Sequence, residues 1–159
     1  MIFLVDGHNL IGKTPGLSLG DVDDEEQLVA LLDSACRRLR KKAIVFFDPG
    51  AHSGQTDLGS SWVQVRFAHG KADDALVAYL EKQSDRAACT VVTSDQPLAR
   101  RVRQLRGKVQ SSESFAEELR ARAAATKSRD EEEHSSPAEV EELLELFEAR
   151  KTGKKRKAN

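Results

Sequence analysis

Short apolar runs alternate along the chain with segments whose apolar residues recur at helical spacing. The runs at 2–5 (IFLV), 43–47 (AIVFF) and 89–94 (CTVVTS) contain no charged residue, as is typical of strands buried on both faces of a parallel sheet. The segment at 62–67 (WVQVRF) alternates apolar and polar residues, which indicates a more exposed strand. A weak strand is predicted at 108–110.

Helical patterns separate these runs. Apolar residues between 28 and 39 recur at intervals of three and four, with acids before them and bases after, an order that complements the helix dipole. Further helices are predicted to begin near Asp73 and Asp95 and to span roughly 113–124, and a Gly-rich loop is predicted around 13–20. This succession predicts an α/β fold, in which right-handed crossovers join a mainly parallel sheet that carries helices on both faces.

The pattern changes near the C-terminus. A globular domain is predicted over 1–125, followed by a charged linker over 126–136. Residues 137–151 have a capping box, proline at the first helical position and one apolar stripe, which together predict an amphipathic helix. A basic, disordered tail is predicted over 152–159. The helix either docks on the domain through its stripe or binds RNA or a partner protein together with the tail.

Composition narrows the class of protein. The 159 residues are 39% hydrophobic and 32% charged with a net charge of −1. One domain with an appendage is therefore expected, and a strongly basic protein that holds nucleic acid by charge alone is excluded. The two cysteines have neither disulfide nor zinc spacing, and the N-terminal apolar run is too short for a signal peptide or a membrane span. We expect a cytoplasmic protein without a membrane partner.

Acidic residues follow four of the predicted strands. They are Asp6 in VDG, Asp48 in FFDPG, Asp73 in KADD and Asp95 in VTSD. Each taken alone has a simpler explanation, because aspartate favours turns and caps helices. Taken together, they are expected to meet in one crevice, because the carboxyl ends of parallel strands lie at the same edge of a sheet.

Such a cluster of carboxylates needs a counter-charge. Two unit charges ~5 Å apart repel by about 3 kcal/mol at an effective dielectric constant of about 20. The repulsion is relieved if some acids stay protonated or if a cation lies among them. Carboxylate oxygens without His or Cys favour Mg²⁺ or Mn²⁺, which can acidify a water for attack on a phosphodiester. The residues therefore predict metal-dependent phosphoryl chemistry.

The same motifs carry a family resemblance. VDGHN (5–9), FFDPG (46–50), KADDAL (71–76) and VTSDQ (92–96) resemble the NYN/PIN-like ribonucleases, and most closely their YacP-like branch, over approximately residues 1–120. The resemblance implies a PIN-like three-layer α/β sandwich. It also implies Mg²⁺- or Mn²⁺-dependent endonucleolytic cleavage of RNA. RNA is then the expected partner, with the ribosome or a translated mRNA as a further expected setting.

The resemblance also implies roles for single residues. Asp6 resembles the first metal-binding carboxylate, Asp73 the acid that opens a helix and Asp95 the acid after the fourth strand. Asn9 resembles a nearby polar residue that orients a ligand or a substrate phosphate. We expect Asp6, Asp73, Asp95 and Asn9 to be catalytic. Asp48 is expected to be a further metal ligand, or else to shape a turn.

The aspartate doublet and two hydroxyls allow finer expectations. Neighbouring helical side chains point about 100° apart, so only one of Asp73 and Asp74 should face a metal. The resemblance of KADDAL to the family pattern, with Ala75 and Leu76 aligned, implies that this one is Asp73. Thr93 and Ser94 are either second-layer donors that hold the carboxylates or ordinary strand-end hydroxyls. Binding of RNA needs basic residues beside the acidic crevice. The candidates are Lys13, Arg66, Lys71, Arg100 and Arg101.

Two other functions remain open. A haloacid-dehalogenase-like phosphatase needs a second acid two residues after its nucleophilic Asp, and His8 stands there after Asp6. A non-catalytic RNA-binding or adaptor domain of the same fold would bind RNA with or without a metal and leave it intact. A metal titration with an RNA substrate separates these functions from an endoribonuclease.

Overall fold

A computed structural model describes residues 1–50 and 58–133, with side chains of the last helix described as far as residue 125. The chain divides into two compact units, Met1–Ala121 and Arg122–Asn159. The elements are, in chain order, β1 (Ile2–Asp6), α1 (Gly7–Lys13), α2 (Asp24–Leu39), β2 (Lys42–Phe47), β3 (Val63–Phe67), α3 (Ala72–Glu81), a 3₁₀ turn (Arg86–Ala88), β4 (Cys89–Val92), α4 (Gln96–Gln104), β5 (Lys108–Gln110) and α5 (Ser112–Glu133).

The first unit is built on a five-stranded sheet in the order β3-β2-β1-β4-β5. Every strand pair is parallel, and Val5 of β1 lies opposite Val45 of β2 and Val92 of β4. The predicted α/β class with a parallel sheet is confirmed. From β1 the chain adds β2 and then β3 on one side of the sheet, and from β4 it adds β5 on the other side. The strand order therefore reverses between the carboxyl ends of β1 and β4. Open α/β sheets bind ligands at such a reversal.

Helices cover both faces of this sheet and make three layers. On one face, α1, α2 and the first turns of α5 bury residues such as Leu10, Leu32 and Phe115. On the other face, α3 and α4 bury Leu76 and Val102 among others. Burying a side chain of this size contributes about 1.5–3 kcal/mol, so the two apolar faces hold the strand ends in fixed positions.

The junction between β1 and α1 depends on a glycine. A Cβ at Gly7 would lie 2.3 Å from Cε1 of Phe47 and 3.0 Å from the carbonyl oxygen of Phe46. Only a residue without a side chain therefore lets α1 begin directly after β1. This close approach places Asp6, His8 and the neighbouring strand β2 at the same edge of the sheet.

Two details differ from the sequence predictions. Helix α1 was not predicted, and Lys13 is its last residue rather than part of a loop. Helix α5 continues to Glu133, so residues 126–133 are helical where an irregular linker was expected. Residues 51–57 and residues 134–159, which contain the predicted helix at 137–151 and the tail at 152–159, lie outside the described residues. None of the described helices is long and apolar enough to cross a membrane.

Candidate active site

Asp6 lies at the point where the strand order reverses, and its side chain is buried. It is 8% exposed. The Thr93 hydroxyl donates a hydrogen bond of 3.0 Å to Asp6 Oδ2, and the backbone N–H of Asn9 also donates to this carboxylate. Burial is the largest cause that raises the pKa of Asp6; together with the negative charges of Asp73 and Asp95, and against these two hydrogen bonds, it brings the pKa to about 6. Asp6 is thus a buried acid with acidic neighbours.

Thr93 connects two of the predicted acids. While its hydroxyl donates to Asp6, the same oxygen accepts a hydrogen bond of 3.1 Å from the backbone N–H of Asp95. The Asp95 side chain caps α4, because its Oδ1 accepts from the backbone N–H of Leu98 at 2.9 Å. Thr93 is 1% exposed, so this connection is shielded from water. The arrangement fixes the spacing between β1 and the start of α4.

The aspartate doublet divides as the helical geometry predicts. Asp73, the second residue of α3, is half-buried, and burial raises its pKa, with the charges of Asp95 and Asp48 acting in the same direction. Asp74 is exposed and forms an ion pair of 2.8 Å with Arg101 Nη1. Asp73 therefore faces the other acids, and Asp74 faces a basic side chain of α4.

Asp48 has two neighbours that the sequence did not reveal. Its Oδ1 accepts a hydrogen bond of 2.8 Å from the backbone N–H of Ala72, the first residue of α3. Its Oδ2 lies 3.6 Å from His8 Nδ1, and His8 Nε2 lies 3.1 Å from Glu25 Oε1. Glu25 was read as part of the acidic start of α2, yet its side chain is buried and its Oε2 has no partner among the described residues.

The Asn9 side chain bonds the end of β4 and the start of α5. Its side-chain oxygen accepts hydrogen bonds from the backbone N–H of Ser94 at 2.8 Å and from the Ser112 hydroxyl at 2.7 Å. The Ser94 hydroxyl bonds Glu113 instead of any of the four predicted acids. Lys13 Nζ lies 3.1 Å from Glu113 Oε1, and the Ser94 hydroxyl and Lys13 lower the pKa of Glu113 to about 2. This network joins α1, the end of β4 and the start of α5.

The other basic candidates lie on α3, α4 and the edge strand. Arg66 of β3 lies over the ring of Tyr79 at 4.9 Å. Lys71 precedes α3 and Arg100 lies on α4, and both are exposed. Arg101 is close enough to the acids for its positive charge to lower the pKa of Asp73 against the stronger effects that raise it. A basic side chain therefore borders the acidic cluster directly.

Comparison with known proteins assigns the family. The YacP-like NYN domain family matches residues 3–157, nearly the whole chain. The chain belongs to that family. The crystal structure of a mutant of Rae1 (YacP) from Bacillus subtilis is similar to it, with a TM-score of 0.70 and 22% sequence identity over 86% of this chain and 84% of that chain. This similarity confirms the predicted PIN-like fold. No curated protein sequence matches the chain.

Membership of the YacP-like NYN family supports a nuclease-like, RNA-related function, with RNA as substrate or partner. In this NYN domain the donors at the strand reversal are carboxylate oxygens, the ligands that hard divalent cations prefer. Among the described residues, no three His, Cys, Asp or Glu side chains converge into a ligand group by themselves. Mg²⁺ commonly takes one or two protein carboxylates and completes its shell with water and substrate phosphate, so the donor set suits such a cation.

Proposed function

We propose that this YacP-like NYN domain is a metal-dependent endoribonuclease whose centre comprises Asp6, Asp73 and Asp95. The observation that carries the proposal is that the fold brings these acids together at the strand reversal: the Thr93 hydroxyl bonds both the Asp6 carboxylate and the Asp95 backbone N–H, and the charges of Asp73 and Asp95 act to raise the pKa of Asp6. Keeping such acids together costs stability when no cation is bound. The acids lie at the strand reversal, where open α/β sheets bind ligands, in a chain of a nuclease-like family. Binding of a catalytic cation there explains why the destabilising cluster is present.

Carboxylate oxygens from this cluster of Asp6, Asp73 and Asp95 would hold Mg²⁺ or Mn²⁺, with water and substrate phosphate completing the shell. When bound, such an ion lowers the pKa of a coordinated water and screens the negative charge that develops on the scissile phosphate. The chain's own groups set the geometry. Thr93 keeps the Asp6 carboxylate in place, the cap that Asp95 makes on α4 fixes its backbone, and Asn9 ties α1 to the end of β4. Asn9 therefore acts as a positioning residue in this proposal, one step removed from the reacting atoms.

RNA would approach over the basic side of the crevice. Arg101 is paired with Asp74 at an exposed position, so a substrate phosphate can replace that carboxylate at little cost. Lys71 just before α3 and Arg100 on α4 offer exposed positive charge near this pair. Lys13 and Arg66 hold charge at the two flanks, beside Glu113 and Tyr79. Contacts of this kind bind the phosphate backbone and predict weak sequence preference.

The test is cleavage of a labelled, mixed-sequence RNA by the purified chain in Mn²⁺, beside Asp6→Asn and Asp95→Asn. We expect internal cleavage in wild type that EDTA abolishes and that both variants lose. RNA binding that is equal in all three proteins, with no Mn²⁺ uptake and no cleavage, contradicts the proposal and identifies an RNA-binding adaptor. Mn²⁺ uptake without cleavage of free RNA directs the same assay to ribosome-bound mRNA.

A further inference from the structure

A chain of polar contacts runs from the start of α2 to the start of α3. It begins at the buried Glu25, passes through the ring of His8 and reaches Asp48. It ends at the backbone N–H of Ala72, which donates to Asp48 Oδ1. These contacts join segments separated by 17 and 24 residues in sequence, so they arise from the fold and not from local turn chemistry.

The last contact controls the position of Asp73. Lys71, the residue that precedes α3, makes no side-chain cap, so the hydrogen bond from Ala72 to Asp48 is the side-chain anchor described for this helix start. Asp73 is the next residue after Ala72. An N-terminal anchor fixes the first turn of a helix, and loss of one destabilises that turn. Movement of that turn would change the distance from Asp73 to Asp6 and Asp95.

The first contacts restrain Asp48. Glu25 is 5% exposed, and its Oε1 lies at hydrogen-bond distance from His8 Nε2. The ring of His8 also lies against Phe47, with 5.2 Å between the centroids. A ring held on one edge by a buried carboxylate and packed against an aromatic side chain has little freedom to rotate. His8 therefore presents Nδ1 towards Asp48 in a fixed direction.

We propose that Glu25, His8 and Asp48 form a positioning chain that sets the place of Asp73, and that Asp48 acts through Ala72 rather than as a metal ligand. The inference rests on the proposed function, because it assigns Asp73 to the metal centre. It replaces the expectation that Asp48 is a fourth ligand. One Asp48 oxygen is occupied by a backbone N–H and the other faces His8, and both contacts are available to an uncharged amide.

Asparagine and alanine at position 48 separate the two roles. Asp48→Asn keeps an oxygen for the Ala72 N–H and places an amide N–H₂ beside His8 Nδ1, which can accept when Nε2 carries the proton towards Glu25. Asp48→Ala removes both contacts. The measurements are Mn²⁺ affinity by calorimetry, and kcat and KM for cleavage of the labelled RNA. Urea denaturation of each protein accompanies them.

We expect Asp48→Asn to bind Mn²⁺ and to cleave within about threefold of wild type. Asp48→Ala should lose about 10–100-fold in Mn²⁺ affinity and in kcat, the range for partners that orient a ligand, with KM for RNA unchanged. If the asparagine variant loses as much as the alanine variant, Asp48 is a ligand and the inference is overturned.

A reciprocal variant removes the donor and keeps the carboxylate. Ala72→Pro deletes the N–H at the first position of α3, where proline suits the helix and where Lys71 already has extended backbone. We expect it to lose Mn²⁺ affinity as Asp48→Ala does. Wild-type affinity in Ala72→Pro contradicts the inference. If either variant fails to fold, the asparagine variant and the remaining one still decide between the two roles.

The outer part of the chain has its own pair. Glu25→Gln keeps an acceptor for His8 Nε2, whereas Glu25→Ala removes it, and we expect only the alanine variant to lose Mn²⁺ affinity, by several-fold. If Glu25→Ala binds Mn²⁺ as tightly as Glu25→Gln does, Glu25 and His8 do not belong to the positioning chain. Mn²⁺ affinity is measured without RNA, so a wild-type protein that binds the ion but cleaves neither free RNA nor ribosome-bound mRNA refutes the nuclease and leaves the positioning chain testable.

Discussion

Replacing Asp6 with asparagine tests the electrostatics of the site directly. The pKa of Asp6 rises from an ordinary 3.8 to about 6 in the folded chain, with burial as the largest cause. The folded state therefore binds this proton more tightly than the unfolded state does. Stability contributed by the protonated form is fully present below about pH 4 and is lost as pH rises through 6. The ionised carboxylate then destabilises the fold by about 3 kcal/mol.

Asparagine at position 6 has no charge at any pH, so its stability lacks this dependence. The free energy of unfolding of Asp6→Asn minus that of wild type should be about 2–3 kcal/mol larger at pH 7.5 than at pH 4.0, so the variant gains relative stability at the higher pH. Any hydrogen bond that the amide makes less well with Thr93 is lost at both pH values and cancels in this comparison. With a denaturant slope of about 2 kcal/mol per molar urea, the relative midpoint should shift by about 1 M.

The assay is urea denaturation in EDTA at both pH values, followed by circular dichroism. Asp21→Asn is the control, because Asp21 is an exposed acid outside the cluster. It should show the same difference from wild type at pH 4.0 and pH 7.5. An equally constant difference for Asp6→Asn would refute the claim that burial and acidic neighbours hold Asp6 in an unfavourable charged state.

Three further substitutions test the surroundings of the centre. Thr93→Val keeps the shape of the side chain but removes the hydroxyl that donates to Asp6, so the pKa of Asp6 should rise above 6. The free energy of unfolding at pH 7.5, measured by urea denaturation, should fall by about 1–3 kcal/mol. An unchanged urea midpoint contradicts this prediction. Gly7→Ala forces a Cβ against the ring of Phe47 and should cost about 1–3 kcal/mol by the same measurement, and wild-type stability would show that the junction relaxes freely. Arg101→Ala should weaken binding of RNAs of different sequence equally and reduce the slope of log affinity against log salt by about one, whereas a sequence-dependent loss would indicate base contact.

The strands and the acids were predictable because their signals are local. Apolar runs located β1, β2 and β4, and parallel pairing then required Asp6 and Asp95 to end at one edge. Helical geometry required Asp73 and Asp74 to point in different directions, and the resemblance of KADDAL to the family pattern then chose Asp73. Each of these steps uses a spacing of a few residues or a rule about parallel strands.

The missing parts depend on contacts across the fold. Helix α1 has seven residues and two glycines, so its own propensity is weak, and packing of Leu10 and Ile11 into the core stabilises it. Glu25 belongs to an acidic helix start that complements the dipole, which gives no sign that it is buried beside His8. The anchor from Asp48 to Ala72 spans 24 residues, and no local pattern encodes it.

The most direct test of the central claim compares the two members of the aspartate doublet. Asp73→Asn and Asp74→Asn make the same chemical change at adjacent positions, one facing the acids and one facing Arg101. Initial rates of Mn²⁺-dependent cleavage of the labelled RNA are measured for both proteins and wild type. A metal-dependent nuclease centred on Asp6, Asp73 and Asp95 requires Asp73→Asn to lose at least about 100-fold while Asp74→Asn stays within about threefold of wild type. Equal rates in the two variants would contradict it.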